Sequence, residues 1–368
     1  MLQGPDQSLA HDTSKSSAWG GMLDDILLSR SVSSRAELIQ RIRQCLGDAI
    51  ERETDTHNTT SIIFIFKYQD RKYLLKAEFG SDTATHREIT WYERLGSRDP
   101  EIAPRYFGSH SSDSHALLLI GFIDGAATID EIAHAGASVD QAVIRDCVVA
   151  ALDADRRMFA ATSRSATSQE VARFFERKYE ARRKEAQQIP FLRRLLEVPQ
   201  IVLNGDTLYA PDKALDKIKG DRSLYRHLTP NRVGFIHGDL HCGNILLKER
   251  DVFFIDPNGQ PEMPFEYDVG KILHSIHGDY GSIMLGKYEL EMDDSSRYSF
   301  STYQPDSYEA ALEKLRGSMT DQEYVRGLYA EAMHFATMLP HHAQNQRETL
   351  ALYLRCVQLF NELLTLAA

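Results

Sequence analysis

The chain has 368 residues, of which 42% are hydrophobic, 9% aromatic and 26% charged, a composition typical of a globular protein with room for one large two-lobed unit or two domains. Its 42 basic and 53 acidic residues give a formal net charge of −11, which argues against a nucleic-acid partner because such surfaces carry a basic excess. No window approaches the ~18 uninterrupted apolar residues of a membrane span, and the 4 cysteines form no C-x-x-C pair, so a reduced, cytoplasmic setting is expected.

The sequence of the first third of the chain predicts a leader, followed by a helix, a β-hairpin and a second helix. Residues 1–33 are polar, lack the features of a secretory signal and are predicted to form a flexible leader. A capping box at Ser34 and the helical spacing after it predict a helix over residues 34–51. Two β-branched and aromatic runs at 61–67 and 72–77, joined by a polar turn, predict a β-hairpin. A helix is predicted over 83–95.

The rest of the chain predicts one more hairpin and then mainly helices. The return strand of the second hairpin is predicted at residues 116–123. The predicted helices after it are 140–161, 168–188, 268–277 and those that fill 308–366. Residues 280–308 are polar and predict irregular structure.

The segment HGDLHCGNILLKERDVFFIDPNG, residues 237–259, is the most informative part of the sequence. Phosphoryl transfer needs a carboxylate that orients the accepting hydroxyl, together with oxygen ligands for Mg²⁺ on the phosphates. Asp239, Asn244 and Asp256 can supply all of these groups. Their spacing predicts a site on a short loop after one strand and at the end of the next.

This segment resembles the catalytic and metal-binding loops of the protein-kinase-like superfamily, and it is most similar to the aminoglycoside phosphotransferase family. The pieces that carry the resemblance are HGDLHCGN, FIDPNG and YDVGKIL, in that order. The resemblance implies an α+β, bilobal protein-kinase-like fold. A small N-terminal antiparallel β-sheet lobe with one key helix would bind nucleotide, and a larger, mainly helical C-terminal lobe would carry the acceptor site.

The resemblance also implies boundaries for these parts. The nucleotide-binding lobe is expected at residues 34–123 and the helical lobe at 124–368. Within the helical lobe, the catalytic loop is expected at 237–244 and the metal-binding strand end at 255–259.

The resemblance assigns roles to the polar residues of the catalytic segment. Asp239 is expected to act as the catalytic base, and Asn244 and Asp256 are expected to bind Mg²⁺. Pro257 is expected to bias the backbone of Asp256 towards extended conformations.

Two more residues are expected to support the loop rather than to react. His237 would do so through hydrogen bonds. Asp268 is expected to cap the N-terminus of its helix and to hold the catalytic loop through backbone hydrogen bonds.

The nucleotide side of the site is expected in the first hairpin and the helix after it. A lysine at the end of the second strand, Lys76, can reach the α- and β-phosphates, and kinase-like folds hold it with a glutamate from the next helix. Glu88 is the expected partner, and Glu93 is the alternative.

Two further nucleotide contacts are expected from the backbone and from small polar side chains. The phosphate-covering loop has no glycine but offers Asn58, Thr59 and Thr60. The backbone of Gly121, Phe122 and Ile123 is expected to hydrogen-bond adenine.

The function predicted is an ATP- or GTP-dependent phosphotransferase that moves the γ-phosphate to a hydroxyl of a small molecule, such as an aminoglycoside, a sugar or another natural product. Its expected partners are the nucleotide with Mg²⁺ and the small-molecule acceptor, without nucleic acid or membrane. His277 and Asp279 are candidate acceptor contacts because they follow the site closely in sequence. A protein kinase and a non-catalytic nucleotide-binding regulatory protein are the alternatives, and the oligomeric state stays open.

Overall fold

A computed structural model describes residues 32–55, 61–96, 101–135, 141–260, 262–293 and 297–366. Almost all of the predicted leader, 1–33, lies outside these residues. The chain divides into two compact units, Met1–Gly125 and Ala126–Ala368. The boundary expected from the sequence followed residue 123.

The first unit contains a five-stranded antiparallel sheet in the order β1-β2-β3-β5-β4. Its strands are β1 Ile50–Asp55, β2 Ser61–Tyr68, β3 Arg71–Phe79, β4 Tyr106–Ser111 and β5 His115–Gly121. Its helices are α1 Arg35–Leu46 and α2 Ala84–Leu95. Both predicted hairpins are confirmed. The β2–β3 turn places Gln69 and Asp70 at φ of 48° and 60°, the positive values that a tight hairpin with the right-handed strand twist requires.

The helix predicted over 34–51 is shorter than expected. It begins after Ser34, whose hydroxyl accepts from the Glu37 N–H at 3.2 Å, and it ends at Gly47, which has a φ of 52°. The chain then enters β1, which pairs with β2 along the edge of the sheet. Pairing with a neighbouring strand therefore outweighs the helical propensity of this segment. The apolar face of α1 packs in the core of this unit with buried residues of the sheet: Leu38, Ile42, Leu46, Ile62, Phe64, Phe66, Leu75 and Leu119.

The second unit is mainly helical. Its longer helices are α4 Gln141–Thr162, α6 Glu176–Gln187, α8 Pro211–Gly220, α10 Phe265–Ile276, α12 Asp306–Gly317, α13 Asp321–Met338 and α14 Gln346–Leu366. The shorter ones are α3 Ile129–His134, α5 Ser168–Ala172, α7 Pro190–Leu196, α9 Arg222–Leu228 and α11 Tyr280–Met284. Its strands are β6 Ala127–Thr128, β7 Arg164–Ser165, β8 Gln200–Leu203, β9 Asp206–Tyr209, β10 Arg232–Val233, β11 Ile245–Lys248, β12 Asp251–Phe254, β13 Tyr288–Met292 and β14 Arg297–Thr302.

Two helical predictions need correction. The helix predicted over 168–188 is broken into α5 and α6: after α5 the Phe174 N–H donates to the Val171 carbonyl in a tighter turn at 3.0 Å, and Phe175, with φ of −114° and ψ of −80°, leaves the helical conformation before α6 begins. The helix predicted over 268–277 begins earlier, at Phe265, with Pro264 in the N-cap position.

The region 280–308, predicted to be irregular, holds a β-hairpin. β13 and β14 pair with each other, and β14 pairs in parallel with β8, so the sheet order is β13-β14-β8-β9. These strands come from segments about a hundred residues apart, and short polar strands of this kind acquire their partners only in the folded chain. The prediction of irregular structure was therefore wrong.

Close packing of α10 against α13 determines where the site residues of α10 lie. A Cβ on Gly270 would come within 2.6 Å of the Ala330 Cβ, and one on Gly327 within 2.4 Å of the Val269 Cγ1. The two glycines thus let the helices approach closely. The α+β fold class, with an antiparallel sheet and many helices, is confirmed. In the described part of the chain, no helix is long and apolar enough to cross a membrane.

Candidate active site

The loop at residues 237–244 is held from below by two buried carboxyl groups. Asp268, on α10, accepts hydrogen bonds from the Gly238 N–H at 2.6 Å and the Leu240 N–H at 3.1 Å. Asp155, on α4, accepts from the His237 N–H at 2.9 Å. The expected contact of Asp268 with the loop is thus present, but its expected role as a helix N-cap is wrong because the helix starts at Phe265.

Asp155 was missed by the sequence analysis, although a signal was present. It lies among apolar residues on the buried face of α4, between Leu152 and Met158. An acidic residue on a buried helix face must find donors in the folded protein. Here the donor is the backbone of the catalytic segment.

Asp155 and Asp268 are both fully buried and lie close enough to share a proton. Burial raises the pKa of Asp268 to about 7. Burial, together with the neighbouring Asp268 carboxylate, raises the pKa of Asp155 well above its usual value. A protonated Asp155 can donate to Asp268 while its other oxygen keeps the His237 N–H.

His237 links the loop to the strand end that follows β12. Its Nε2 lies 2.9 Å from the Ile255 carbonyl oxygen, and its Nδ1 accepts from the Asp239 N–H at 3.3 Å. A carbonyl oxygen only accepts, so Nε2 carries the proton and the ring is neutral. Burial lowers the pKa of His237 to about 4, which agrees with this neutral form. The Asn258 N–H donates to the His237 carbonyl at 3.0 Å.

Asp239 forms an ion pair with Lys271, a second residue missed by the sequence analysis. The Lys271 Nζ lies 2.7 Å from Asp239 Oδ1, and the two side chains are 17% and 34% exposed. Burial opposes ionisation of Asp239, but the charge of Lys271, followed by that of His241, outweighs it and holds the pKa of Asp239 well below its usual range. Lys271 lies one helical turn after Asp268 in the YDVGK motif, so helical spacing was the available signal.

Asn244 and Asp256 offer two oxygen ligands for a divalent cation. The Asn244 Nδ2 donates to the Asp239 carbonyl at 2.9 Å, so the amide oxygen is the atom of that side chain suited to a cation. Asp256 is exposed at the end of β12, and the Ile255 N–H before it donates to the Asn244 carbonyl at 3.1 Å. Mg²⁺ commonly takes one or two protein oxygens and completes its shell with phosphate and water, so this donor set fits.

The backbone of Asp256 differs from the expectation. Its φ is 54°, in the left-handed region that non-glycine residues seldom adopt. The prediction that Asp256 adopts an extended conformation before Pro257 is therefore wrong. Such uncommon conformations persist where surrounding contacts impose them. Here the Ile255 N–H donates to the Asn244 carbonyl and the Asn258 N–H donates to the His237 carbonyl, so hydrogen bonds to the catalytic loop fix the chain on both sides of Asp256. The described residues contain no group of three or more His, Cys, Asp or Glu side chains that could hold a metal.

In the first unit, Lys76 of β3 and Glu88 of α2 form a buried ion pair. The residues are 9% and 4% exposed. The Thr85 N–H donates to Glu78 of β3 at 2.9 Å, which fixes the start of α2 beside that strand. Glu93, the alternative partner, is exposed and accepts from the Ser109 hydroxyl at 3.4 Å.

The other expected nucleotide contacts are only partly described. The Gly121 N–H donates to the Arg105 carbonyl at 2.8 Å, and the Phe122 N–H donates to the Lys72 carbonyl at 3.2 Å. Both donors are thus engaged within the first unit. Phe122 and Ile123 both follow β5, which ends at Gly121. Asn58, Thr59 and Thr60 lie outside the described residues.

The candidate acceptor contacts, His277 and Asp279, are held in a different network. His277 Nδ1 lies 2.9 Å from the buried Glu331 carboxylate; burial favours the neutral ring, but Glu331 outweighs it and raises the pKa of His277. Asp279 accepts from the Thr302 hydroxyl at 2.5 Å, and burial raises its pKa. Both contacts connect the end of α10 to α13 and β14.

Comparison with known proteins adds a family and a fold. Residues 60–290 match the model of the phosphotransferase enzyme family. Among curated proteins, methylthioribose kinase of Bacillus cereus (strain AH820) is 35% identical over 78 residues, which is 21% of this chain and 19% of that protein. The chain thus spans about a fifth of the length of the curated relatives it matches.

Solved structures share the fold at low identity. Aminoglycoside phosphotransferase APH(4)-Ia is similar with a TM-score of 0.55 and 10% identity, covering 89% of this chain and 99% of that one. Spectinomycin phosphotransferase APH(9)-Ia, in complex with ADP and spectinomycin, gives 0.51 and 12%, covering 90% and 99%. A choline/ethanolamine kinase family protein from Mesorhizobium loti gives 0.51 and 11%, covering 95% and 98%.

Proposed function

The chain belongs to the phosphotransferase enzyme family, and we propose that it transfers the γ-phosphate of ATP, or of GTP, to a hydroxyl group of a small molecule. The observation that carries this proposal is the arrangement of the catalytic loop. Asp239 is held by buried backbone hydrogen bonds on both sides, and Asn244 is bonded to its carbonyl. Asp256 lies just after β12, and the residue before it, Ile255, is hydrogen-bonded to His237 and Asn244 of the loop.

In the proposed reaction, Asp239 accepts a hydrogen bond from the acceptor hydroxyl. The hydroxyl oxygen bonds to the γ-phosphorus while the bond from that phosphorus to the β,γ-bridging oxygen breaks. The nucleoside diphosphate leaves with the electron pair, and the hydroxyl proton passes to Asp239. Because the transition state is loose, orientation of the hydroxyl supplies most of the effect of this residue.

Mg²⁺, when bound, would neutralise charge on the phosphates, and Asn244 and Asp256 are the residues that would hold it. Lys76 is proposed to contact the α- and β-phosphates while Glu88 keeps its ammonium in place. The resident Lys271 ammonium keeps Asp239 ionised until the acceptor arrives. The low pKa of Asp239 suits a residue that orients the hydroxyl and takes the proton late.

The proposal favours a small-molecule acceptor over a protein. The sequence FIDPNG replaces the D-F-G of protein kinases, and Asp256 has a left-handed backbone that Pro257 follows directly. The partial likeness to methylthioribose kinase supports a sugar-like acceptor. A non-catalytic role would give no chemical reason for an ionised Asp239 beside Asn244.

Single-turnover transfer from Mg·ATP, measured over a panel of sugars and aminoglycosides, tests this function. Asp239→Asn should retain the fold and reduce the transfer rate by about 10²–10⁴-fold, the usual contribution of a positioned base. Asp251→Asn, an exposed change on β12, is the matched control and should leave the rate unchanged.

Thermal stabilisation by Mg·ATP separates the roles of the two aspartates, since it grows with ligand concentration over Kd. Asp256→Ala should lose more of this stabilisation than Asp239→Ala. Near-normal transfer by Asp239→Asn would show that the loop has been assigned wrongly. Equal loss of stabilisation in the two alanine variants would contradict the division of roles.

A further inference from the structure

A small cation-lined cavity lies directly beside the catalytic loop in the second unit. Its volume is about 340 Å³, at the lower end of the range of ligand pockets. The described lining residues are Arg173, Phe174, Lys178, Asn258, Gln260, Met263 and Tyr267, and none of them is acidic.

The cavity is adjacent to Asp239. A Cβ on Gly238, the residue before Asp239, would lie 2.8 Å from the Asn258 Cβ and 2.9 Å from the Met263 Sδ. The wall of the cavity therefore packs against the backbone of the catalytic loop. Tyr267, another wall residue, directly precedes Asp268 on α10. A ligand in this cavity would lie next to the residue proposed to orient the acceptor hydroxyl.

Lys178 of α6 gives the cavity its charge. Its Nζ bonds the neutral Tyr267 hydroxyl at 2.7 Å, and within the described ranges no carboxylate lies within ion-pair distance of it. Burial lowers the pKa of Lys178, and the Asp239 carboxylate acts in the opposite direction. A half-buried ammonium with a neutral partner gains strongly from a bound anion, because desolvated charge pairs and charge-assisted hydrogen bonds are the strong ones.

We infer that the acceptor is a small hydroxyl compound with an anionic group, a carboxylate or a phosphate ester, and that Lys178 binds this group. This inference rests on the phosphotransferase function proposed above. Arg173, exposed at the cavity rim, adds a second positive charge. The amides of Asn258 and Gln260 can bond further hydroxyl groups of the acceptor.

A cationic acceptor does not match this cavity. An ammonium group placed there would face Lys178 and Arg173 without a carboxylate among the described lining residues. The acidic side chains of Glu289 and Glu291 are exposed on β13, in the four-stranded sheet, and do not line the cavity. Like charges in a desolvated site reject a ligand strongly.

Acceptors that share a sugar skeleton and differ in one charged substituent test the inference. Glucuronate, glucose and glucosamine form one set, and ribose 5-phosphate and ribose form a second that distinguishes a phosphate ester from a carboxylate. Lys178→Met should raise KM for the preferred anionic probe by roughly 10–100-fold, the range expected for loss of a hydrogen bond to a charged group. It should change kcat little and leave KM of the neutral probes unaltered. Lys178→Arg should restore part of the affinity.

Lys184→Met is the control, since Lys184 is exposed on the same helix. A preference for glucosamine, or an equal loss of kcat with every probe on Lys178→Met, would overturn the inference. Calorimetric titration of glucuronate and ribose 5-phosphate in the presence of Mg·ADP provides a readout without transfer. The inference is supported if either anion binds saturably and Lys178→Met weakens that binding. It is refuted if neither anion binds. Anion binding without phosphoryl transfer to any probe would instead overturn the proposed function.

Discussion

The two buried carboxyl groups below the catalytic loop should respond differently to the same chemical change. Asp155→Asn and Asp268→Asn each replace one carboxyl of the pair by an amide of the same shape. Asp155 accepts one backbone N–H, whereas Asp268 accepts two. An amide has one oxygen and one NH₂ group, so it can replace the first carboxyl but not the second.

The expected magnitudes follow from these contacts. In Asp155→Asn, the amide oxygen keeps the His237 N–H and the NH₂ group donates to Asp268, so the free energy of unfolding should change by less than about 1 kcal/mol. In Asp268→Asn, the NH₂ group meets either the Gly238 or the Leu240 N–H, and one buried donor loses its acceptor. An unsatisfied buried group costs about 1–3 kcal/mol. Repulsion between the amide NH₂ group and the backbone N–H that it faces adds to this cost.

The pH dependence of stability gives a second readout. The pKa of Asp268 is raised to about 7 and that of Asp155 is also raised, so their contribution to stability is present at low pH and is lost as the pH rises through about 7. His237, with a pKa lowered to about 4, contributes stability that is lost as the pH falls below 6.5. The decline due to the carboxyl pair spans the range from about 4, the usual pKa of an aspartate, to about 7, and Asp155→Asn should flatten it there relative to the unsubstituted protein.

Urea unfolding followed by circular dichroism measures the stabilities of the two variants. Hydrogen exchange of peptides from residues 237–244 measures the loop directly, because local opening is reported at the amides concerned. Asp268→Asn should speed exchange at these amides and Asp155→Asn should not. Equal destabilisation by the two changes, or a steeper decline with pH in Asp155→Asn, would refute the assignment of the hydrogen bonds.

Two further predictions concern the ion pairs. Lys271→Met removes the charge that lowers the pKa of Asp239, so the acid limb of the pH profile of kcat/KM should move to higher pH, while Lys271→Arg should keep it; an unmoved limb in the methionine variant would contradict this role. Glu88→Ala breaks a buried pair, which commonly costs about 3–5 kcal/mol, and should weaken Mg·ATP binding in calorimetry. Glu93→Ala, an exposed change on the same helix, should do neither; equal effects of the two would argue against the Lys76–Glu88 assignment.

The sequence by itself determined the parts of this protein that depend on local spacing. Runs of β-branched, aromatic and other apolar residues placed the hairpins of the first unit, and a lysine predicted near a strand end, twelve residues before Glu88, predicted the pair that the structure contains. The order of Asp239, Asn244 and Asp256 indicated the chemistry, because these residue types at these spacings share few other uses. Helical periodicity also predicted α2 and α4 to within a residue or two.

Only the tertiary structure decided how the catalytic loop is held and charged. Asp155 is 82 residues from the N–H group that it accepts, and no periodic pattern reports a contact over that distance. Helical spacing places Lys271 one turn after Asp268, but its ion pair with Asp239 joins two segments separated in sequence and is a tertiary contact. The left-handed backbone of Asp256 and the parallel pairing of β14 with β8 likewise depend on neighbours distant in sequence. Local propensity is weak beside such packing and hydrogen bonding, so tertiary contacts decide these features.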